Sequence, residues 1–467
     1  MEKPNTAQVE LNPGQSSKLA ALIITSISVF GLTFMGSSVN VALPEIGKEF
    51  GVDAIVLGWI VSSYLLAVVV FLIPFSRLAD LIGIRKIYFW GLILFTLSLI
   101  AAIFSTSAAM LIALRVLQGV GSAMFMGTGL AMVTAIYPAR ERGAAFGFTT
   151  FAVYAGSSVG PVLGGVITEH FGWRYIFIVG AVLGAGVIPF LLAKIKGEWR
   201  ISKGEKFDFP GSLVYGLAMI ALMYGFSDLP EIRGIILIVV GIAGLAGFLY
   251  WENRASSPMM EVGIFKNNRP FTFSNLAALI SYMAVYSVAF LLSLYLQYIK
   301  GLDPEQTGFI MLVQPIMQAF LSPLAGRMSD KVEPRIVASA GMGLTCLGLV
   351  SFVFLSSETS MVHIIVTLAV LGIGFALFSS PNVNAIMSSV APKYYSVASA
   401  TSNTMRSVGQ MLSMGVTVTV LAVIMGRVEI TPQYYPDFLT STRLAFAIFA
   451  VLCLAGIFAS LSRGKVR

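Results

Sequence analysis

Charge is scarce in this chain, and the residues that carry most protein chemistry are scarcer. Only 11% of its 467 residues are charged, against about 25% in soluble domains, while 57% are hydrophobic. A soluble chain of this length has no means of covering so much apolar surface, which leaves a polytopic membrane protein. The two histidines, His170 and His363, are far apart in sequence, and no spacing suggests a metal site. Both cysteines, Cys346 and Cys453, sit in apolar runs, so no disulfide framework is implied. Polar linkers are short throughout, which excludes a soluble catalytic domain. Carboxylates are missing where they would matter most. All 22 acidic residues can be assigned to loops or span ends, leaving none for the middle of a bilayer.

What remains is apolar sequence in long runs. A span needs about 20 mostly apolar residues, and the chain offers fourteen such runs, the first at 19–43 and the last at 441–461. All are expected to be helices, because an open strand leaves backbone groups unpaired in lipid. The expected class is therefore an all-α polytopic membrane protein. Most of the 30 lysines and arginines fall on one side of this arrangement. The other side holds Lys48, Arg174, Arg233, Lys300, Arg427 and Arg443, while Arg115 and Arg406 fall within spans. The positive-inside rule then makes both termini cytoplasmic in a cell membrane.

The chain repeats itself. Ser76–Lys86 contains Arg77, Asp80 and Arg85, which recur as Arg327, Asp330 and Arg335 in Gly326–Arg335. Gly119, Gly121 and Phe125 return as Gly372, Gly374 and Phe378. Two echoes at nearly one offset divide the chain into two copies of a six-span unit, as in alternating-access transporters. The expected boundaries are 1–195 for the first half, 196–266 for a basic linker with an inserted two-helix hairpin, and 267–467 for the second half.

Several residues are candidates for function. In the hinge, Asp80 at the end of span 2 can face a helix N-terminus, Gly83 permits a tight turn, and Arg85 and Lys86 can hold lipid phosphates or a partner acid. Gly326, Asp330 and Arg335 are the second copy, and a plain solvated loop is the alternative. Gly156, Gly160 and Gly164 share one face at four-residue spacing, suited to close helix approach, with Gly165 beside them and Pro161 permitting a kink. Arg115 is costly inside a membrane and stays charged, so it reads as functional, with Asn40 as an acceptor at similar depth. A structural arginine capped by carbonyls is the alternative. Arg406 reads as lying near the cytoplasmic end of its span, where it can snorkel. Tyr64, Tyr154, Gln314, Gln318 and Asn382 are expected to line a large, mostly apolar cavity suited to amphipathic molecules, with Asn384 close by.

These residues carry a resemblance. Leu78, Ala79, Asp80, Gly83, Arg85 and Lys86 resemble the cytoplasmic signature of the major facilitator superfamily. Arg115–Gly119 is similar to its second motif, and Gly156–Gly165 to the motif associated with its antiporters. Val39–Pro44, Gly172–Phe177, Phe207–Gly211 and Asn403–Gly409 look like the fourteen-helix drug/proton antiporter branch. The resemblance covers nearly the whole chain. It implies a major facilitator fold of two six-helix halves plus a hairpin, and export of hydrophobic or amphipathic compounds, with protons as the coupling ion. It implies no enzyme activity, no cofactor, no nucleic acid, lipid contacts and a monomer. Met35 stands where the branch has an aspartate associated with proton coupling. Coupling is therefore expected to be weak, or to run through rim acids such as Glu45 or Asp53. Two other readings stay open: a transporter of an anionic or lipid-like metabolite, and a membrane-embedded lipid-modifying enzyme.

Overall fold

Backbone amides in lipid can bond only to one another, and every spanning segment is accordingly helical. The computed structural model describes residues 15–138, 141–200, 206–255, 257–260, 262–391 and 395–464. Fourteen helices are long and apolar enough to cross a membrane. In chain order they are α1 (Gln15–Phe50), α2 (Ala54–Ile82), α3 (Ile84–Ile103), α4 (Ala108–Ile136), α5 (Arg142–Phe171), α6 (Arg174–Lys194), α7 (Phe209–Ser227) and α8 (Ile232–Glu252). After a short turn at Gly263–Asn267 come α9 (Arg269–Ile299), α10 (Pro304–Met311 and Val313–Lys331), α11 (Pro334–Val353), α12 (Met361–Ser388), α13 (Tyr395–Ile424) and α14 (Tyr435–Ser462). The face carrying the α2–α3 turn is called the hinge side here, and the opposite face the far side.

Two helices differ instructively from the apolar runs. The first run stops before Pro44, but α1 continues through it to Phe50. Proline there has no N–H for the Asn40 carbonyl. That carbonyl takes a bond from Ser293 Oγ of α9 instead, at 2.7 Å, and Gln297 Nε2 bonds the next carbonyl, Val41, at 2.9 Å. The proline thus converts a lost helix bond into a junction. In α10, the helix breaks at Leu312, just ahead of Pro315, whose ring crowds the turn before it.

The packing repeats with the sequence. α1 lies on α4, α5 and α6; α2 lies on α4; and α3 lies on α4 and α6. Moved eight helices along, the same pairs recur: α9 on α12, α13 and α14; α10 on α12; and α11 on α12 and α14. The glycine approaches repeat as well. A Cβ at Gly119 would lie 2.5 Å from the Tyr64 carbonyl oxygen, and one at Gly372 would lie 2.5 Å from that of Gln314. Gly91 and Gly121 meet backbone to backbone, as do Gly341 and Gly374. Gly156 rides on Phe30 and Thr33, and Gly409 on Leu279 and Tyr282. Between the two sets, α2 packs on α13 and α5 on α10.

The pair α7–α8 has no counterpart in this scheme. α7 lies across the α2–α13 seam, where the Tyr215 hydroxyl donates to the Val69 carbonyl at 3.1 Å and Thr419 Oγ1 to that of Phe226 at 2.6 Å.

Replacing Gly119 or Gly372 by alanine is expected to cost about 1–3 kcal/mol, because each methyl would overlap a carbonyl oxygen. Gly36 has nothing within 4 Å of its Cβ position, so Gly36→Ala should be neutral or stabilising by up to about 1 kcal/mol. Thermal unfolding of the purified protein in detergent checks this. Equal effects at the three positions would contradict it.

Candidate functional site

A buried arginine keeps its charge, so its surroundings reveal what it is for. Arg115, 2% exposed, projects from α4 toward α2. Its Nε donates to the Ile60 carbonyl at 3.1 Å and its Nη1 to Gln118 Oε1 at 2.9 Å. The guanidinium stands 4.5 Å from the centre of the Tyr64 ring, whose hydroxyl donates to Ser122 Oγ at 3.1 Å. Tyr286 of α9 is within electrostatic reach of both Arg115 and Tyr64. Arg406 of α13 stands 5.3 Å from the Tyr282 ring and acts on Tyr64, Tyr154 and Tyr286. Tyr154 of α5 lies beside Ser322 and Ser379. Two arginines and four tyrosines, drawn from both helix sets, thus form one cluster. Among the described residues, no salt bridge reaches either arginine.

The placement of Arg406 corrects the sequence reading. It lies eleven residues into α13, roughly 16 Å along the helix. The hydroxyl-rich stretch before it is helical, and Thr404 Oγ1 bonds back to the Ala400 carbonyl at 3.0 Å. Arg406 therefore faces the interior and does not snorkel. Tyr282 and Tyr286 escaped the sequence reading. Their four-residue spacing puts them on one helix face, a signal that was available.

Other residues singled out from the sequence have different surroundings. Met35, 2% exposed, packs between α1 and α6, its Sδ 2.6 Å from where a Cβ on Gly180 would lie. Its position is inside one helix set and away from the cluster. Asn40 does not serve Arg115; its side-chain carbonyl is buried without a partner. Asn382 is structural: Nδ2 donates to the Ser274 carbonyl at 3.1 Å, and Oδ1 accepts from Arg463 Nη1 at 3.0 Å. Arg463, just past the end of α14, is fully buried, and burial pushes its guanidinium down to about 10, still charged at neutral pH. Asn384 bonds Ser329 Oγ at 2.9 Å. Gln314 and Gln318 are half-buried on α10. Gln314 is the repeat counterpart of Tyr64, since Gly372 packs on its carbonyl as Gly119 packs on that of Tyr64.

The glycine-rich stretch of α5 has two working faces. Gly156, Gly160 and Gly164 press on α1, and Ser38 Oγ donates to the Gly160 carbonyl at 2.8 Å. The other face meets α10. A Cβ at Gly165 would lie 2.3 Å from the Pro304 carbonyl oxygen, and one at Gly308 would lie 2.2 Å from that of Pro161. His170 and Glu305 close the same seam at its rim, 2.9 Å apart. α5 stays continuous through Pro161.

At the hinge, Gly83 has φ +133, a conformation that disfavours a side chain. Glu198 of the linker occupies the space a Cβ would take, and its carboxylate accepts the Arg85 amide at 2.9 Å. The Ile84 amide bonds the Trp199 carbonyl at 3.0 Å. The linker therefore caps α3 in place of Gly83, a contact not anticipated from sequence. Asp80 is half-exposed in the last turn of α2, Lys86 is exposed, and Gly326 faces Ser380. Arg335 is half-buried in the first turn of α11, and the Asp330 side chain lies outside what is described. On the far side, Trp173 and Arg174 both hold the Glu49 carboxylate, at 2.6 to 2.7 Å.

Comparison with known proteins agrees with this architecture. The chain is 33% identical over 380 residues to a riboflavin transporter, RibZ, of Clostridioides difficile, covering 80% of this chain and 82% of that one. It is 32% identical over 412 residues to the multidrug resistance protein Stp of Mycobacterium tuberculosis, covering 87% and 76%. It is 27% identical over 382 residues to a methylenomycin A resistance protein of Streptomyces coelicolor, covering 80% of each. Among solved structures, a bacterial homolog of the lysosomal transporter Spinster, in an inward-facing state, shares the fold with a TM-score of 0.69 at 15% identity, over 96% of this chain and 97% of that one. A peptide transporter of the POT family gives a TM-score of 0.71 at 14% identity, over 93% and 94%. The family model for the Major Facilitator Superfamily matches residues 25–413 and again 274–465. The chain belongs to the Major Facilitator Superfamily, a family of membrane transporters and not of enzymes.

Proposed function

We propose that the protein exports amphipathic small molecules by alternating access, holding each substrate at the cluster of two arginines and four tyrosines. One observation carries this reading. The cluster draws on α2, α4 and α5 from one set and α9 and α13 from the other, so a ligand there touches both sets at once. Residues 1–195 and 267–467 are the rocking units on this reading, with 196–266 inserted between them. The hydrogen bonds Ser293–Asn40 and Gln297–Val41, the pair His170–Glu305 and the glycine seams at Gly58, Gly165 and Gly308 all lie toward the far side. We read this as a conformer closed outside and accessible from the cytoplasm, the hinge side being cytoplasmic because it carries most of the lysines and arginines.

The chemistry of the cluster narrows the substrate. Tyrosine rings stack on planar molecules, and guanidiniums donate to carbonyl or anionic groups. A permanent cation would meet two like charges with no carboxylate to offset them. Neutral or anionic aromatic compounds are therefore preferred, which suits a relative named as a riboflavin transporter. Asp53, expected as a rim proton carrier, is engaged as the N-cap of α2, accepting the Val56 amide at 2.8 Å, and Glu45 is paired with Lys48. Proton coupling through the cluster is expected to be weak.

Two outcomes follow. In proteoliposomes, riboflavin and flavin mononucleotide should be transported in preference to ethidium, and Arg115→Gln and Arg406→Gln should each weaken flavin binding by about tenfold, about 1.4 kcal/mol. Ethidium transport that exceeds flavin transport and ignores both substitutions would overturn the reading. Gly308→Leu should disfavour the conformer with the α5–α10 seam closed and favour the one in which it parts, reducing flavin transport by about tenfold or more while flavin binding persists. Unchanged transport would remove the seam from the cycle.

A further inference from the structure

Most described carboxylates have an evident task as helix caps or rim ion pairs. Two that are buried lie together at the hinge-side end of α7 and α8, and one of them, Asp208, also caps α7. Asp208 is 9% exposed; its Oδ1 accepts the Gly211 amide at 3.0 Å, and both of its oxygens accept the Trp251 indole N–H, at 3.2 and 3.0 Å. Glu252, the last residue of α8, is 3% exposed. Its Oε2 accepts the Met260 amide at 2.9 Å, whereas Oε1 is buried without a partner. That oxygen is turned toward Asp208. A Cβ at Gly211 would lie 2.2 Å from Asp208 Oδ2 and 3.2 Å from Glu252 Oε1, so the two carboxyls meet over the bare α-carbon of Gly211.

The charges around the pair are few. Arg254 lies over the Tyr250 ring at 4.3 Å, Lys206 is exposed just ahead of α7, and α2, which packs on α7, carries Arg77 near its hinge-side end. Among the described residues, Asp208 is the one charged group that acts on Glu252. Two buried carboxylates facing one another cannot both stay ionised cheaply, and one shared proton removes the repulsion. It also gives Oε1 the partner it lacks.

We propose that Asp208 and Glu252 form a proton-binding site, with the proton on Glu252 Oε1 donated to Asp208. The Gly211 amide and the Trp251 indole both donate to Asp208, whereas Glu252 accepts only from the backbone of Met259 and Met260. Loss of the proton sets two like charges against each other between the ends of α7 and α8. Because α7 lies across the α2–α13 seam, the site ties pH on the hinge side to the packing of that seam. The inference does not depend on which substrate is carried.

The test is infrared difference spectroscopy of the full-length protein in lipid vesicles, titrated from about pH 5 to about pH 9. A protonated-carboxyl stretch should disappear as pH rises, and Glu252→Gln should abolish it. The glutamine amide still donates to Asp208, so that variant should fold. Asp208→Asn, lacking the like charge, should lose the band at lower pH. The native state binds the extra proton, so the wild-type unfolding temperature should fall as pH rises through the same range, and that of Glu252→Gln should not. A band that survives Glu252→Gln, no titrating band at all, or a band displaced by sodium at constant pH would overturn the proposal.

Discussion

Helices in lipid gain nothing from hiding apolar side chains, since the tails around them are equally apolar. What holds this chain together is the direct approach of one helix backbone to another, and glycine is the residue that permits it. Gly119 on Tyr64, Gly372 on Gln314, Gly156 on Phe30 and Gly409 on Leu279 are the same joints built twice. Each helix set is rigid because these joints leave no room for sliding. The seams between the sets use the same device more sparingly. Gly165 and Gly308 interlock with Pro304 and Pro161, whereas at the corresponding place on the other side Gly58 meets the side chain of Val418 and α7 covers the seam. The molecule is thus nearly symmetric within its sets and asymmetric between them.

That asymmetry bears on the central cluster. Arg115 and Arg406 are not repeats of one another, for one stands on α4 and the other on α13. Symmetry provides the frame, and departures from it provide the chemistry. The pair α7–α8 is a second departure, and the linker that caps α3 through Glu198 is a third. Each lies at or beside a place where the two sets, or the segments joining them, must move if access is to alternate.

The spans, their repeat and one close-packed face of the glycine stretch of α5 were legible in the sequence, because length, apolarity and four-residue spacing are local properties; its second face, against α10, was not. The cluster was legible only in part. Arg115, Tyr64 and Tyr154 were found because a polar or charged group within a span is conspicuous. Asn40 and Asn382 were given the wrong neighbours because a helix has several faces, and sequence alone does not say which face meets a cavity and which meets a neighbour. Arg406 was misread because the apolar part of its span begins only at Met405, although the hydroxyl-rich turns before it are helical and bond back to their own backbone. The bond from Ser293 to the carbonyl freed by Pro44 joins residues too distant in the chain for any local pattern to connect.

The central claim, that two rigid sets rock about the arginine–tyrosine cluster, is tested most directly by distances between spin labels in reconstituted protein. One pair, at Lys86 and Lys331, reports the hinge side; the other, at Glu169 and Gln306, reports the far side. The account predicts that flavin and flavin-free conditions shift the two distances in opposite directions, one side closing as the other opens. Distances that stay fixed, or that lengthen and shorten together, would contradict it.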